Sequence, residues 1–104
     1  MIYCFVCKDG PQAASLRKDL LQAHLKHIEG VVSHMPVAGP MRDSDGNFIG
    51  SILMIEADTE DEARNLFNQD PYAKVKIWDS IEVFPFDAVA GTWVGGVSWQ
   101  NPLS

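Results

Sequence analysis

A long segment near the start of the chain has a helical period of apolar residues. The stripe recurs every four positions within residues 11–29, through Leu16, Leu20, His24 and Ile28. This spacing predicts an amphipathic helix that is capped at its C-terminal end by Gly30. His24 stands where a leucine is expected, and a buried polar ring costs free energy unless it has a hydrogen-bond partner. His24 is therefore either a satisfied core histidine or a candidate for proton transfer.

Four shorter apolar runs are bounded by turn residues and predict strands. They span residues 2–8, 31–37, 48–56 and 76–84. Asp45 and Gly46 are a turn signal between the second and third strands. Thr59 and Glu62 form a capping box that opens a second helix, which runs through Phe67 and ends before Asp70 and Pro71. The order βαββαβ predicts an α+β, ferredoxin-like fold, with an antiparallel four-stranded sheet and two helices on one face.

The predicted strands are apolar on both faces. In the last strand, Ile77, Ile81 and Val83 oppose Trp78 and Phe84. An antiparallel sheet with one solvated face should instead alternate apolar and polar residues, and two helices cover only one face. The sequence therefore predicts that a second copy covers the other face, in a homodimer.

Length and charge restrict the function classes. A chain of 104 residues supports one domain, here a core of about 1–87 and a tail of 88–104. The net charge of −6 and the lack of a basic cluster argue against a nucleic-acid partner. The start of the chain resembles neither a signal peptide nor a membrane span, so we expect a cytoplasmic protein. In the tail, we expect Trp93 or Trp99 to be buried, against a partner subunit or over the mouth of a pocket.

Two motifs suggest a metal site but lack the rest of one. Cys4 and Cys7 form a single C-x-x-C on a strand, where their side chains point to opposite faces. His24 and His27 are three residues apart on a helix, but no further ligand has a recognised spacing. We expect no metal and no other cofactor.

The chain also resembles the YciI-like (YCII-related) family, and the resemblance spans most of its length. It rests on Ala23-His24-Leu25, Ala38-Gly39-Pro40-Met41, Gly50-Ser51 and Asp70-Pro71-Tyr72. It implies a dimeric α+β barrel with an active site built on a histidine–aspartate pair, here His24 and Asp70. It also implies a dehydrochlorinase of a chlorinated hydroxyquinol as an enzymatic relative. Family members often have Arg-Pro shortly before the histidine, where this chain has Leu21-Gln22, and Arg17, one turn before Leu21, is the candidate substitute for the positive charge.

The chemistry expected of this pair is acid–base catalysis. Asp70 accepts a hydrogen bond from one nitrogen of His24, and the other nitrogen is a general base towards a small cyclic or enolisable substrate. Ser51 and Tyr72 are candidate donors to a substrate oxygen, and Arg17 is a candidate anion contact. An enzyme of this type is a lyase, isomerase, hydrolase or dehydrochlorinase. The alternative is a non-catalytic dimeric module that binds a small ligand or a protein partner.

Overall fold

A computed structural model describes residues 1–100, and for Gln100 it describes the backbone alone. Four strands and three helices precede the tail, together with a short 3₁₀ turn at Val32–His34. In chain order these elements are β1 (Ile2–Asp9), α1 (Ala13–Val31), β2 (Ala38–Arg42), β3 (Phe48–Glu56), α2 (Glu60–Asn68), α3 (Pro71–Lys74) and β4 (Trp78–Phe86). None of the helices in this part of the chain is long and apolar enough to cross a membrane.

The four strands form one antiparallel sheet in the order β2-β3-β1-β4. This order and the element sequence are those of a ferredoxin-like α+β fold, as predicted. β1 is a central strand, so Phe5 faces Leu53 of β3 on one side and Val83 of β4 on the other. Thr59 accepts the backbone N–H of Glu62 at the start of α2, as expected of a capping residue.

The hydrophobic core lies between the helices and one face of the sheet. Phe5 is fully buried and its ring stacks on Phe67 of α2 at 4.5 Å, and Phe67 in turn stacks on Trp78 at 5.3 Å. The other face of the sheet is more exposed in the described part of the chain. Its apolar side chains are half-buried or exposed, and they include Ile2, Cys4, Val6, Ile52, Met54, Phe84 and Phe86. We call this set the open face.

The second strand does not span residues 31–37, and this prediction is wrong. Helix α1 continues through Gly30 to Val31, so Gly30 is not its cap. The hairpin turn explains the difference: Gly46 N–H bonds to Asp43 O, and Asp43 N–H bonds to Asn47 O. Because the turn closes there, the residues that pair with β3 are those immediately before it, Ala38–Arg42.

The predicted bounds and faces of the fourth strand also need correction. Lys76 has a φ of +58°, a left-handed conformation that a strand does not contain, and β4 begins at Trp78 and runs to Phe86. The pairing of β1 with β4 shifts between Lys8 and Asp9. This irregularity breaks the alternation of faces, so Trp78 lies in the core while Phe84 is 50% exposed on the open face.

The tail forms a small hairpin beyond the sheet. Strands β5 (Ala90–Gly91) and β6 (Gly96–Val97) pair with each other. Trp93 and Trp99 are 83% and 70% exposed, so residues 1–100 bury neither side chain. Trp93 lines an apolar cleft of about 570 Å³ between the tail and Ile2, Met54 and Phe86. Residues 101–104 of the predicted tail lie outside the described residues.

The thiol of Cys7 should react slowly with alkylating reagents. Cys7 is fully buried on the core face, and burial raises the pKa of its thiol from 9.0 to about 12, with help from Asp70 and Asp9. Because only the thiolate reacts, we expect Cys7 in the Cys4→Ser variant to alkylate at pH 8 about 1,000-fold more slowly than an unperturbed thiol. Mass spectrometry after iodoacetamide treatment measures this rate. Labelling in denaturant is the control, and native labelling within tenfold of the denatured rate contradicts the prediction.

Candidate active site

The position of Asp70 follows from the start of helix α3. Its side chain accepts the backbone N–H of Tyr72 at 2.9 Å, and Pro71 occupies the first helical turn, where no amide donor is needed. The residue is 1% exposed. The carboxylate is therefore held by local helix capping beneath α1, with acceptor capacity left over.

His24 of α1 uses that remaining capacity. Its Nδ1 lies 2.8 Å from Oδ1 and 2.9 Å from Oδ2 of Asp70, so the structure brings the two predicted residues together. The ring also stacks on Tyr72, with centroids 3.9 Å apart and planes 9° apart. An ionised carboxylate only accepts, so Nδ1 is the donor and a neutral ring carries its lone pair on Nε2. Nε2 has no hydrogen-bond partner among the described residues.

Tyr72 supports both members of this pair. Its backbone N–H holds Asp70, its ring covers one face of His24, and its hydroxyl donates to the carbonyl oxygen of Arg17 at 3.0 Å. Burial raises the pKa of the hydroxyl, an effect that Arg17 partly offsets and Asp70 strengthens. The hydroxyl that was expected to face a substrate oxygen thus has an acceptor within the chain, and it ties α3 to α1.

Arg17 lies about two turns before His24 on the same face of α1 and is paired with Asp9. Its Nε and Nη2 are 3.0 and 2.8 Å from the two carboxylate oxygens, a two-pronged contact. Nη2 also approaches the Gly50 carbonyl at 3.3 Å and Ser51 Oγ at 3.1 Å. Nη1 has no hydrogen-bond partner in the described part of the chain. Arg17 therefore fastens α1 to β1 and β3, with one nitrogen left to contact a ligand.

Close packing of β1 against β3 sets the position of Ser51. Gly50 is buried, and a Cβ atom there would overlap the carbonyl oxygen of Cys7. The absence of a side chain lets the two strands approach. The next residue along the strand, Ser51, is 6% exposed beneath Arg17.

Two adjacent cavities open beside His24. The inner one, of about 200 Å³, lies under α1 and extends to Ser51, Leu53 and Trp78. The outer one, of about 730 Å³, extends to Phe48 and Tyr72. His24 and Arg17 line both. A further cavity of about 550 Å³ lies around Met1 and Glu56 at the other end of the strands and contains none of the predicted site residues.

Sequence reasoning missed three residues of this region. Asp9 ends β1, and nothing in its local sequence pairs it with Arg17 eight residues later. Phe48 places its ring 5.3 Å from the Arg17 guanidinium, and it was assigned to a strand alone. Trp78 was expected on the sheet face shared with Phe84. No group of three or more His, Cys, Asp or Glu side chains in the described chain is arranged to bind a metal.

Comparison with known proteins adds a family and one solved structure. The family model described as YCII-related domain matches residues 1–87. The 5-chloro-2-hydroxyhydroquinone dehydrochlorinase of Burkholderia phenoliruptrix AC1100, solved in complex with 2,5-dihydroxybenzoquinone, superposes with a TM-score of 0.77. It is 27% identical in sequence, and the match covers 88% of this chain and 97% of that one. No curated protein is significantly similar.

The hydrogen bond to Asp70 predicts the tautomer of His24. We expect the neutral ring to carry its proton on Nδ1, as read from long-range ¹H–¹⁵N NMR correlations. In Asp70→Asn, the amide oxygen still accepts the hydrogen bond from the Tyr72 N–H. The amide NH₂ group then faces His24 and donates a hydrogen bond to Nδ1. The proton should then move to Nε2. His27 and His34 are internal references, and an unchanged His24 tautomer in the variant contradicts the prediction.

Proposed function

Because the chain belongs to the YCII-related domain family, we propose that it is an enzyme whose His24–Asp70 pair transfers protons on a small cyclic or enolisable molecule. The observation that carries the proposal is the geometry of His24. Nδ1 of His24 contacts the buried carboxylate of Asp70, and Nε2 has no hydrogen-bond partner among the described residues. His24 also lines two cavities. A histidine that only filled the core would need no such opening.

The proton moves from a substrate hydroxyl or activated C–H group to Nε2 of His24. Asp70 stabilises the imidazolium that results, and the face of the Tyr72 ring adds attraction for the new positive charge. The electrons left on the substrate spread into a conjugated ring or an enolate. When the adjacent carbon carries a leaving group, the same electrons expel it, and the reaction is an elimination.

The walls of the cavities favour a small, flat substrate. The inner cavity is lined mainly by apolar residues, including Leu25, Ile28 and Leu53, with few polar groups among them. Phe48 and Tyr72 supply aromatic faces to the outer cavity. The dehydrochlorinase with the same fold was solved with a dihydroxylated quinone, which supports an oxygenated ring as the class of substrate.

Replacing His24 tests the proposed role directly. We expect His24→Gln to slow exchange of ring or α protons into D₂O about 10²–10⁴-fold, because the general base is lost. NMR of hydroxylated benzenes and cyclic ketones incubated with the protein measures this exchange. His27→Gln is the matched control on the same helix, since the described hydrogen bonds of the Asp70 carboxylate are with His24 and Tyr72. Equal exchange rates in wild type and His24→Gln refute acid–base catalysis by this residue.

We further propose that the functional unit is a homodimer that packs open face against open face, as a dimeric α+β barrel. Phe84 and Phe86 are 50% and 40% exposed in the single chain, beside half-buried Cys4, Ile52 and Met54. Such a contiguous apolar surface is typical of protein interfaces. A second copy presents the same surface, so a two-fold contact buries both at once.

A charge on the open face should dissociate this dimer. We expect the wild type to sediment at twice the monomer mass at micromolar concentration, and Phe84→Glu to sediment largely as a monomer with its fold retained. Val32→Glu replaces a similarly exposed residue (58%) away from the sheet and should leave the dimer intact. A wild-type monomer at these concentrations refutes the dimer.

A further inference from the structure

Trp78 carries the one unexplained polar group of the core. Its Nε1 is the only buried side-chain nitrogen or oxygen in the described chain that lacks a hydrogen-bond partner. The residue is 5% exposed, and its ring is fixed by Phe67 on one side and by an edge-on contact with Tyr72 at a centroid distance of 6.2 Å. An unpaired donor in this setting has lost its hydrogen bond to water without a replacement.

The location of Trp78 suggests what completes this hydrogen bond. The residue lines the inner cavity, of about 200 Å³, together with His24, Arg17 and Ser51. Ser51 Oγ accepts from Arg17, and its own proton has no acceptor among the described residues. The lining of the inner cavity therefore includes two residues with an unused donor: the Ser51 hydroxyl, and the Trp78 Nε1–H, which is buried in the wall.

We propose that the inner cavity is a subsite for an oxygen acceptor of the substrate, and that Trp78 Nε1–H donates a hydrogen bond to it. The acceptor is a ring carbonyl or the oxygen of a deprotonated hydroxyl. Ser51 donates a second hydrogen bond on the same wall. This inference rests on the proposed function and narrows it: the substrate is a planar ring with at least one oxygen directed into the inner cavity, while His24 acts on a neighbouring position.

The indole proton itself provides the test. Trp93 and Trp99 lie in the exposed tail, so the double variant Trp93→Phe, Trp99→Phe leaves Trp78 as the only indole. We expect saturation with 2,5-dihydroxybenzoquinone to move the Trp78 Nε1–H signal downfield in a ¹H–¹⁵N correlation spectrum, because the proton gains an acceptor. Benzene, which fills space without an oxygen, is the control probe and should not produce this downfield shift.

A second measurement uses Trp78→Phe, which removes the donor and keeps an aromatic ring. We expect this variant to bind 2,5-dihydroxybenzoquinone about 5- to 10-fold more weakly by titration calorimetry, the loss expected for one hydrogen bond. A thermal melt of the variant checks that it is folded. If Trp78→Phe does not fold, the indole shift in the double variant decides the question.

The outcomes separate this inference from the proposed function. An indole signal that 2,5-dihydroxybenzoquinone leaves unmoved, through lack of binding or lack of contact, overturns the subsite. The subsite is also overturned if NMR cross-relaxation shows that a water molecule remains bound to the Trp78 indole N–H after 2,5-dihydroxybenzoquinone binds. If the indole shifts but His24→Gln exchanges protons as fast as wild type, the subsite stands and acid–base catalysis by His24 falls.

Discussion

The carboxylate of Asp70 is the group on which the candidate site depends. It lies at 1% exposure and satisfies two donors from different elements, the Tyr72 amide of α3 and the His24 imidazole of α1. A buried carboxylate without both partners is costly, so its burial favours the arrangement of helices that supplies them. The same group that completes the start of α3 thus fixes which edge of the imidazole faces the cavity. The Asp70 carboxylate therefore both caps α3 and orients His24.

A second anchor holds the other side of the site. Arg17 and Asp9 join α1 to β1, and Arg17 reaches on to the Gly50 carbonyl and Ser51 Oγ of β3. Helix α1 is therefore fastened to the sheet at one point and to α3 at another, with His24 beside both. Since the sheet is antiparallel with β1 in its centre, these contacts converge on the end of β1. The two cavities beside His24 open next to both of these polar contacts.

Much of the fold and part of the site could be predicted because they depend on residues that are close together in the sequence. The four-residue spacing around His24 marks α1, and the Asp-Pro pair marks the end of α2, whereas the short helix α3 that begins at Pro71 was not predicted. The second strand could not be placed the same way, since its bounds depend on where the hairpin turn closes rather than on its own residues. Trp78 was assigned to the wrong face because a single register shift beside Asp9 is invisible in the alternation of apolar residues. The Asp9–Arg17 pair was missed for a related reason: it depends on the angle between a strand and the following helix.

The close approach at Gly50 limits how a site of this design can diverge. A side chain there would push β3 away from β1, and the displacement would pass to Ser51 and to the carbonyl that faces Arg17. The backbone of β1, at the Cys7 carbonyl, therefore restricts this position of β3 to glycine. Phe48, 43% exposed at the start of the same strand, is bordered by the Arg17 side chain and by solvent, so its size is less restricted. Relatives with other substrates should therefore differ at Phe48, beside the hairpin turn, and should keep the residues at Gly50 and Ser51.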